Sequence, residues 1–226
     1  MVRQIKEKLI KIVLVYIPVC LFSVFVLLPL FWAFSTSLKS EQEIMSSSAR
    51  FIPQNITFNS YRRIWEIGRF ASYFLNSLYI SIISVLFITT LAVMNGYALS
   101  RYKFRGKKVF MLMLLGTQLL PIIILLIPLF IIFSKIKIIN TRWSLIVLYM
   151  VIQTPFNSLL MKGFMDNIPI QIDEAAMVDG ANKFQLITRI ILPVIIPGIV
   201  ATTAFAFIGC WNEFLAAFSF ISSRQL

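Results

Sequence analysis

The chain has 226 residues with a formal net charge of +12; 59% are hydrophobic and only 13% charged, and 21 are phenylalanine. A water-soluble domain of this size cannot hide that much apolar surface, which points to an integral membrane protein. The absence of histidine excludes histidine-based catalysis, and two cysteines, Cys20 and Cys210, each inside an apolar run, argue against a disulfide framework or a thiolate metal site.

The basic opening "MVRQIKEKLIKI" leads into an uncharged run from Ile12 to Leu38. That run is too long for the apolar core of a secretory signal, and no small-residue cleavage site closes it, so it reads as a retained anchor spanning about residues 12–35. Further runs free of Asp, Glu, Lys and Arg cover Phe70 to Ser100, Val109 to Ser134, Trp143 to Met161 and Ile190 to Asn212. About 20 apolar residues at 1.5 Å rise cross a hydrocarbon core of roughly 30 Å. The expected fold is therefore all-α and polytopic, a single transmembrane domain over 1–226 with five helices at about 12–35, 74–100, 109–133, 143–162 and 190–219.

The loop "RYKFRGKK", Arg101 to Lys108, carries five basic residues and no acid, the strongest cytoplasmic marker in the chain. Counting spans back from it puts the amino terminus, with Arg3, Lys6, Lys8 and Lys11, in the cytoplasm as well. It places the mixed-charge loop at about 36–70, including Trp65, outside, where the aromatic side chains suit the interface. Lys135, Lys137 and Arg142 then fall outside, a mild departure from the positive-inside bias, and about 163–193 forms an inner loop. This distribution also accounts for the net charge without any nucleic-acid partner, since no basic face is interleaved with aromatics.

The inner loop contains "IDEAAMVDGANKFQLITRIILP", Ile172 to Pro193. Pro169 ends what precedes it, and Asp173 reads as the N-cap of a short helix, Glu174 to Asp179. Gly180 suits the left-handed turn that stops this helix, while Asn182 and Gln185 form a capping pair for a second helix that Pro193 and Pro197 bend. The expected product is a helical elbow with one side left bare by Ala175, Ala176 and Gly180, open to another protein. A re-entrant helix lying on lipid is the competing reading.

Near the end of the fifth run, "WNEF" places Trp211, Asn212 and Glu213 together. An ionisable group there is costly unless it faces protein or water, and an aromatic face beside amide and carboxylate groups can hold a sugar ring and its hydroxyls. The alternative is that Glu213 reaches the outer interface beside Trp211 as an aromatic-belt anchor. Gln118 and Asn95 are weaker path candidates, because single amides inside spans more often tie helices together. Pro121, Pro128 and Pro155 are expected to kink helices. No G-x-x-x-x-G-K-[ST] phosphate loop occurs, so nucleotide chemistry by that route must come from elsewhere.

The pattern Glu174-Ala175-Ala176, three residues, Gly180, nine residues, Ile190, one residue, Leu192-Pro193 resembles the EAA loop of the membrane-spanning subunits of binding-protein-dependent ABC importers. The stretches Asn95 to Lys108, Gln118 to Phe130, Ile139 to Pro169 and Trp211 to Phe214 are similar to the carbohydrate-uptake branch, in its maltose-transporter-type second subunit. The resemblance implies a non-enzymatic permease subunit of the bacterial cytoplasmic membrane. Its expected partners are a second permease subunit, ATPase subunits that bind ATP and Mg²⁺, and an extracytoplasmic solute-binding protein; the chain itself would hold no cofactor and no metal. By position it implies that Glu174, Ala175, Ala176, Asp179, Gly180 and Phe184 form the coupling helix that docks an ATPase. Trp211, Asn212, Glu213 and Gln118 remain the substrate-path candidates. The family usually has six spans, so a sixth is expected to be missing here. The competing functions are an ion-coupled carrier or channel working without an ATPase, and an ABC permease for a solute other than a sugar.

Overall fold

A computed structural model describes residues 12–46, 50–67 and 69–222. The amino-terminal basic cluster used above for orientation, and residues 223–226, lie outside the described residues. Every regular element among the described residues is helical, as the apolar runs require in a medium where each backbone polar group must be satisfied within its own segment.

Two compact units divide the chain, residues 1–72 and 73–226. In the first, a π-helical turn (Ile12–Tyr16) leads into α1 (Ile17–Ser37), whose apolar side chains point outward on all sides. A helix apolar all round and unburied within its own chain is dressed for lipid. After it, Ser35 Oγ donates to the Phe51 carbonyl and buried Lys39 donates to the Arg50 carbonyl while lying 4.6 Å over the Trp32 ring. Ser40 caps α2 (Glu41–Met45), and the Glu41–Arg63 ion pair ties it to the amphipathic α3 (Asn59–Ile67), which carries exposed Trp65.

The second unit is built on two long helices, α4 (Phe70–Arg101, its first three residues belonging to the first unit) and α7 (Arg142–Asp166). Between them run α5 (Lys107–Leu119) and α6 (Ile122–Lys135). The run read from sequence as one span over 109–133 is formed by these two helices, which meet at 103°. Proline lacks the N–H to continue α5, and it forces Leu120 before it into an extended conformation (φ −81°, ψ 124°), with Pro121 itself at ψ 131°. Pro128 and Pro155 sit inside helices that continue through them.

After α7 come α8 (Ile170–Val178), α9 (Lys183–Val194, π-helical from Leu186 to Ile191), α10 (Ile196–Trp211) and α11 (Leu215–Phe220). The expected continuous helix over 190–219 is likewise broken, by 77° at Ile195 and again at residues 212–214. Among the described residues three helices are long and apolar enough to cross a bilayer alone, and up to five if each bent pair is one span.

Two apolar clusters lie along the α4–α7 pair. One gathers Ile88 of α4, Ile146 and Leu148 of α7, Ala206 of α10 and Phe220 of α11. The other gathers Ala92 and Tyr97 of α4, Met161 and Met165 of α7, Ala176 of α8 and Leu186 and Ile191 of α9. At Gly96 α4 comes close to α7: an added Cβ would lie 2.7 Å from Met161 Cγ and 3.0 Å from the Lys162 backbone nitrogen. Small residues at such crossings are how helices gain van der Waals contact in lipid.

Candidate functional site

The elbow forms as its local signals dictate, with one shift. Pro169 (φ −58°, ψ 133°) starts α8, so the helix begins at Ile170 and Asp173 stands inside its first turn instead of capping it. At the other end Gly180 adopts φ +85°, the left-handed conformation that favours glycine. Around it the Ala181 N–H donates to the Ala176 carbonyl (3.0 Å) and the Gly180 N–H to the Met177 carbonyl (3.1 Å), the paired bonds of a Schellman ending. The next helix opens on a full capping box: Gln185 N–H donates to Asn182 Oδ1 (2.9 Å) and Asn182 N–H to Gln185 Oε1 (3.0 Å).

Glu174, Ala175, Asp179, Gly180 and Phe184 are exposed on this elbow, with Val178 87% and Phe184 75% open. Ala176 is not: at 7% exposure it packs into the apolar cluster with Met161, Met165 and Leu186. The bare side expected from sequence therefore loses Ala176, because the helix must bury one stripe against α7 and α9, and that stripe contains Asp173 and Ala176, three residues apart.

Asp173 survives burial because Arg101, the last residue of α4, meets it face on. Arg101 Nε donates to Asp173 Oδ2 (2.9 Å) and Nη2 to Oδ1 (3.2 Å), with side chains 9% and 6% exposed. The remaining guanidinium hydrogens reach the carbonyls of Met165 (3.2 Å) and Ile168 (3.0 Å) at the end of α7. A planar fork that fills two carboxylate oxygens and two carbonyls at once satisfies nearly all its donors. Beside it Ser100 Oγ donates to Asp166 Oδ1 (2.6 Å), Lys162 pairs with Asp166 Oδ2 (2.5 Å), and Lys183 of α9 lies 5.4 Å over the Tyr102 ring. The sequence reading used Arg101 only as one of five loop cations and missed this junction; the two partners are 72 positions apart.

The second candidate region is a cleft of about 230 Å³ lined by Asn76, Ser77, Tyr149, Trp211 and Glu213 among others. Trp211 closes α10, stacks with Phe207 (5.5 Å) and meets Phe74 edge-on (5.6 Å). Glu213 is not part of a span. It sits in the turn after α10, where its carboxylate accepts from Ala216 N–H (2.9 and 3.0 Å) and Ala217 N–H (3.3 Å), satisfying the free donors at the start of α11. Asn212 is exposed and does not line the cleft. Gln118, on α5, bonds its own helix at Leu114 O (3.4 Å) and is likewise outside it. Asn95 ties helices as expected, donating to Ser158 Oγ of α7 (3.0 Å). The misplaced-looking cation Arg142 donates to Asn76 Oδ1 (2.9 Å) and lies 5.6 Å over Tyr79, so its charge serves a helix–helix contact.

Residues 91–225, more than half of the chain and including the whole elbow, match the family model described as binding-protein-dependent transport system inner membrane component. The chain is 32% identical over 185 residues to the diacetylchitobiose uptake system permease protein DasC of Streptomyces coelicolor, covering 82% of this chain and 67% of that one. It is 33% identical over 212 residues to the inner membrane ABC transporter permease protein YcjP of Escherichia coli (93% and 76%), and 32% identical over 200 residues to the trehalose transport system permease protein SugB of Mycobacterium tuberculosis (88% and 72%). Against the diacetylchitobiose permease NgcG of Streptomyces coelicolor it spans 64% of the relative's length. In fold it is similar to a chain from the crystal structure of a bacterial ABC transporter involved in the import of alginate, with a TM-score of 0.81 at 23% identity, over 94% of this chain and 75% of that one.

Proposed function

Because the chain belongs to the binding-protein-dependent transport system inner membrane component family, we propose that it is the non-catalytic permease subunit of an ATP-driven importer of di- or oligosaccharides. Its setting is the bacterial cytoplasmic membrane, with the amino terminus in the cytoplasm. It works with a second permease subunit, two ATPase subunits that bind ATP and Mg²⁺, and an extracytoplasmic solute-binding protein. The substrate class rests on relatives named for diacetylchitobiose, trehalose and galactooligosaccharides.

The observation that carries the reading is the elbow. A helix terminated by a Schellman turn and followed at once by a capping box is rigid at its corner, and its outward side chains, Glu174, Ala175, Val178 and Phe184, mix small, apolar and acidic character with no internal partner to cover the apolar ones. Such a knob suits a cleft on a soluble ATPase, with Asp179 and Gly180 at its tip and Glu174 at its edge. Ala176 supports the elbow from inside. Trp211 offers the sugar-facing ring in the cleft, and Glu213 holds the turn that presents it. An ion-coupled carrier would need a protonatable group free near the midplane; Glu213, the acid in the cleft, is committed to the backbone N–H groups of Ala216 and Ala217.

The test is site-directed crosslinking in cells with a cysteine at Glu174, which is exposed where Ala176 is not. An adduct with the ATPase subunit is the expected result. No adduct in cells that assemble the complex and take up sugar would remove the docking reading.

A further inference from the structure

We infer that the carboxyl end of α4, residues Ser100 to Tyr102, is the receiver that takes motion of the elbow into the membrane, with Arg101 as its positioning residue. This rests on the docking reading above and names the route by which the docked elbow acts.

The geometry is specific. Arg101 grips the first helix of the elbow through both oxygens of Asp173 and the end of α7 through two carbonyls. Tyr102 grips the second helix, its ring lying under Lys183. Ser100 holds Asp166, which Lys162 also pairs. Three consecutive residues at the end of one long helix thus contact both arms of the elbow and the helix that leads into it. Chain continuity joins the elbow to α7 across residues 167–169 and to α10, but on the α10 side a 77° break at Ile195 and a π-helical stretch lie in between. No break interrupts α4 between Arg101 and the cleft residues Asn76 and Ser77.

A buried ion pair is weak evidence of stability in itself, because desolvating both charges offsets most of their attraction. That makes its other property decisive: the bidentate fork fixes orientation, so Asp173 cannot move without turning Arg101 and the end of α4 with it.

The test uses the assembled importer in liposomes, reading sugar uptake per ATP hydrolysed. In the double variant Arg101→Ala with Asp173→Ala no charge is left buried alone, so the complex assembles while the grip is gone. Uptake per ATP falls by about tenfold, within the 5–150-fold span of ordinary site-to-site couplings, and ATP hydrolysis and the Glu174→Cys crosslink persist. Arg101→Lys, which keeps the charge but not the fork, gives an intermediate ratio. A double variant that crosslinks normally and takes up sugar at an unchanged ratio overturns the inference and leaves docking intact. Loss of the Glu174 adduct in the otherwise unaltered chain overturns docking and this inference together. A residue that only supported folding would lower the amount of complex and leave the ratio where it was.

Discussion

Replacing Gly96 with alanine probes a close crossing of α4 and α7. The added methyl would sit 2.7 Å from Met161 Cγ, 3.0 Å from Met161 Cβ and 3.0 Å from the Lys162 backbone nitrogen. The Met161 Cγ can swing aside, although this residue is fully buried; its Cβ and the neighbouring backbone cannot, so α7 must retreat by a few tenths of an ångström. Overpacking of this kind costs about 1–3 kcal/mol, against which alanine recovers at most about 1 kcal/mol of helix propensity over glycine. The net expectation is a loss of about 0–2 kcal/mol, which leaves the variant about 1–3 kcal/mol below one that keeps the propensity gain alone. Gly163, on α7 itself, provides the control: a Cβ there meets nothing within 4 Å, so Gly163→Ala keeps the propensity gain alone. Denaturant unfolding of the purified complex in detergent, or its inactivation half-life on heating, ranks the two variants. If Gly96→Ala proves as stable as Gly163→Ala, α4 and α7 are not packed as described and the crossing has been misjudged.

Gly180→Ala imposes a side chain on a φ of +85° with open space around it, so its cost is backbone strain alone, about 1–2 kcal/mol; deuterium exchange over residues 170–190 should rise, and a rate equal to the unaltered chain would contradict the left-handed turn. Asn182→Ala removes one arm of the capping box and costs about 1 kcal/mol, seen as the same local increase in exchange with no change over α4. Trp211→Ala should raise the sugar concentration needed for half-maximal uptake while ATPase activity without sugar stays put, whereas Glu213→Gln should chiefly lower the stability of the α11 turn; equal half-saturation in the Trp211 variant would remove that ring from the path.

What could be read from the sequence follows the range of the forces involved. The corner of the elbow was legible because Pro169, Gly180 and the Asn182–Gln185 pair act within a few residues of themselves. The same local view misassigned Asp173, whose spacing suits an N-cap but whose partner comes from 72 positions away. Ala176 shows the limit from another side: composition identified a small residue correctly, yet whether a small residue lies bare or inside is decided by the neighbour it meets, and here that neighbour is the α7–α9 cluster. Three prolines in similar apolar surroundings behaved differently: Pro121 breaks a span by 103°, while Pro128 and Pro155 lie within continuing helices. A missing N–H permits a break without compelling one, and tertiary packing chooses. Glu213 looked like a charge stranded in lipid because the turn that uses it is only three residues long and has no glycine or proline within it.

The α4–α7 pair is fastened at three depths, by Arg142 to Asn76 near one end, by Asn95 to Ser158 beside Gly96, and by Arg101 to the Met165 carbonyl at the other end. From Asn76 to Arg101 the helix runs about 38 Å at 1.5 Å per residue, close to the whole thickness of a bilayer. A rod fixed to its neighbour at three points bends little, so in the inference above it acts as a lever with one end gripping the elbow and the other forming a wall of the Trp211 cleft. The α10 helix reaches the same cleft but meets the elbow only across the joint at Ile195. At Gly209, where Gln153 of α7 fills the space a Cβ would need, α10 packs against α7. Substitutions that break the Arg101–Asp173 grip are therefore expected to affect coupling more than equal losses of packing between α10 and α7, because the grip joins the elbow to an unbroken helix that reaches the cleft.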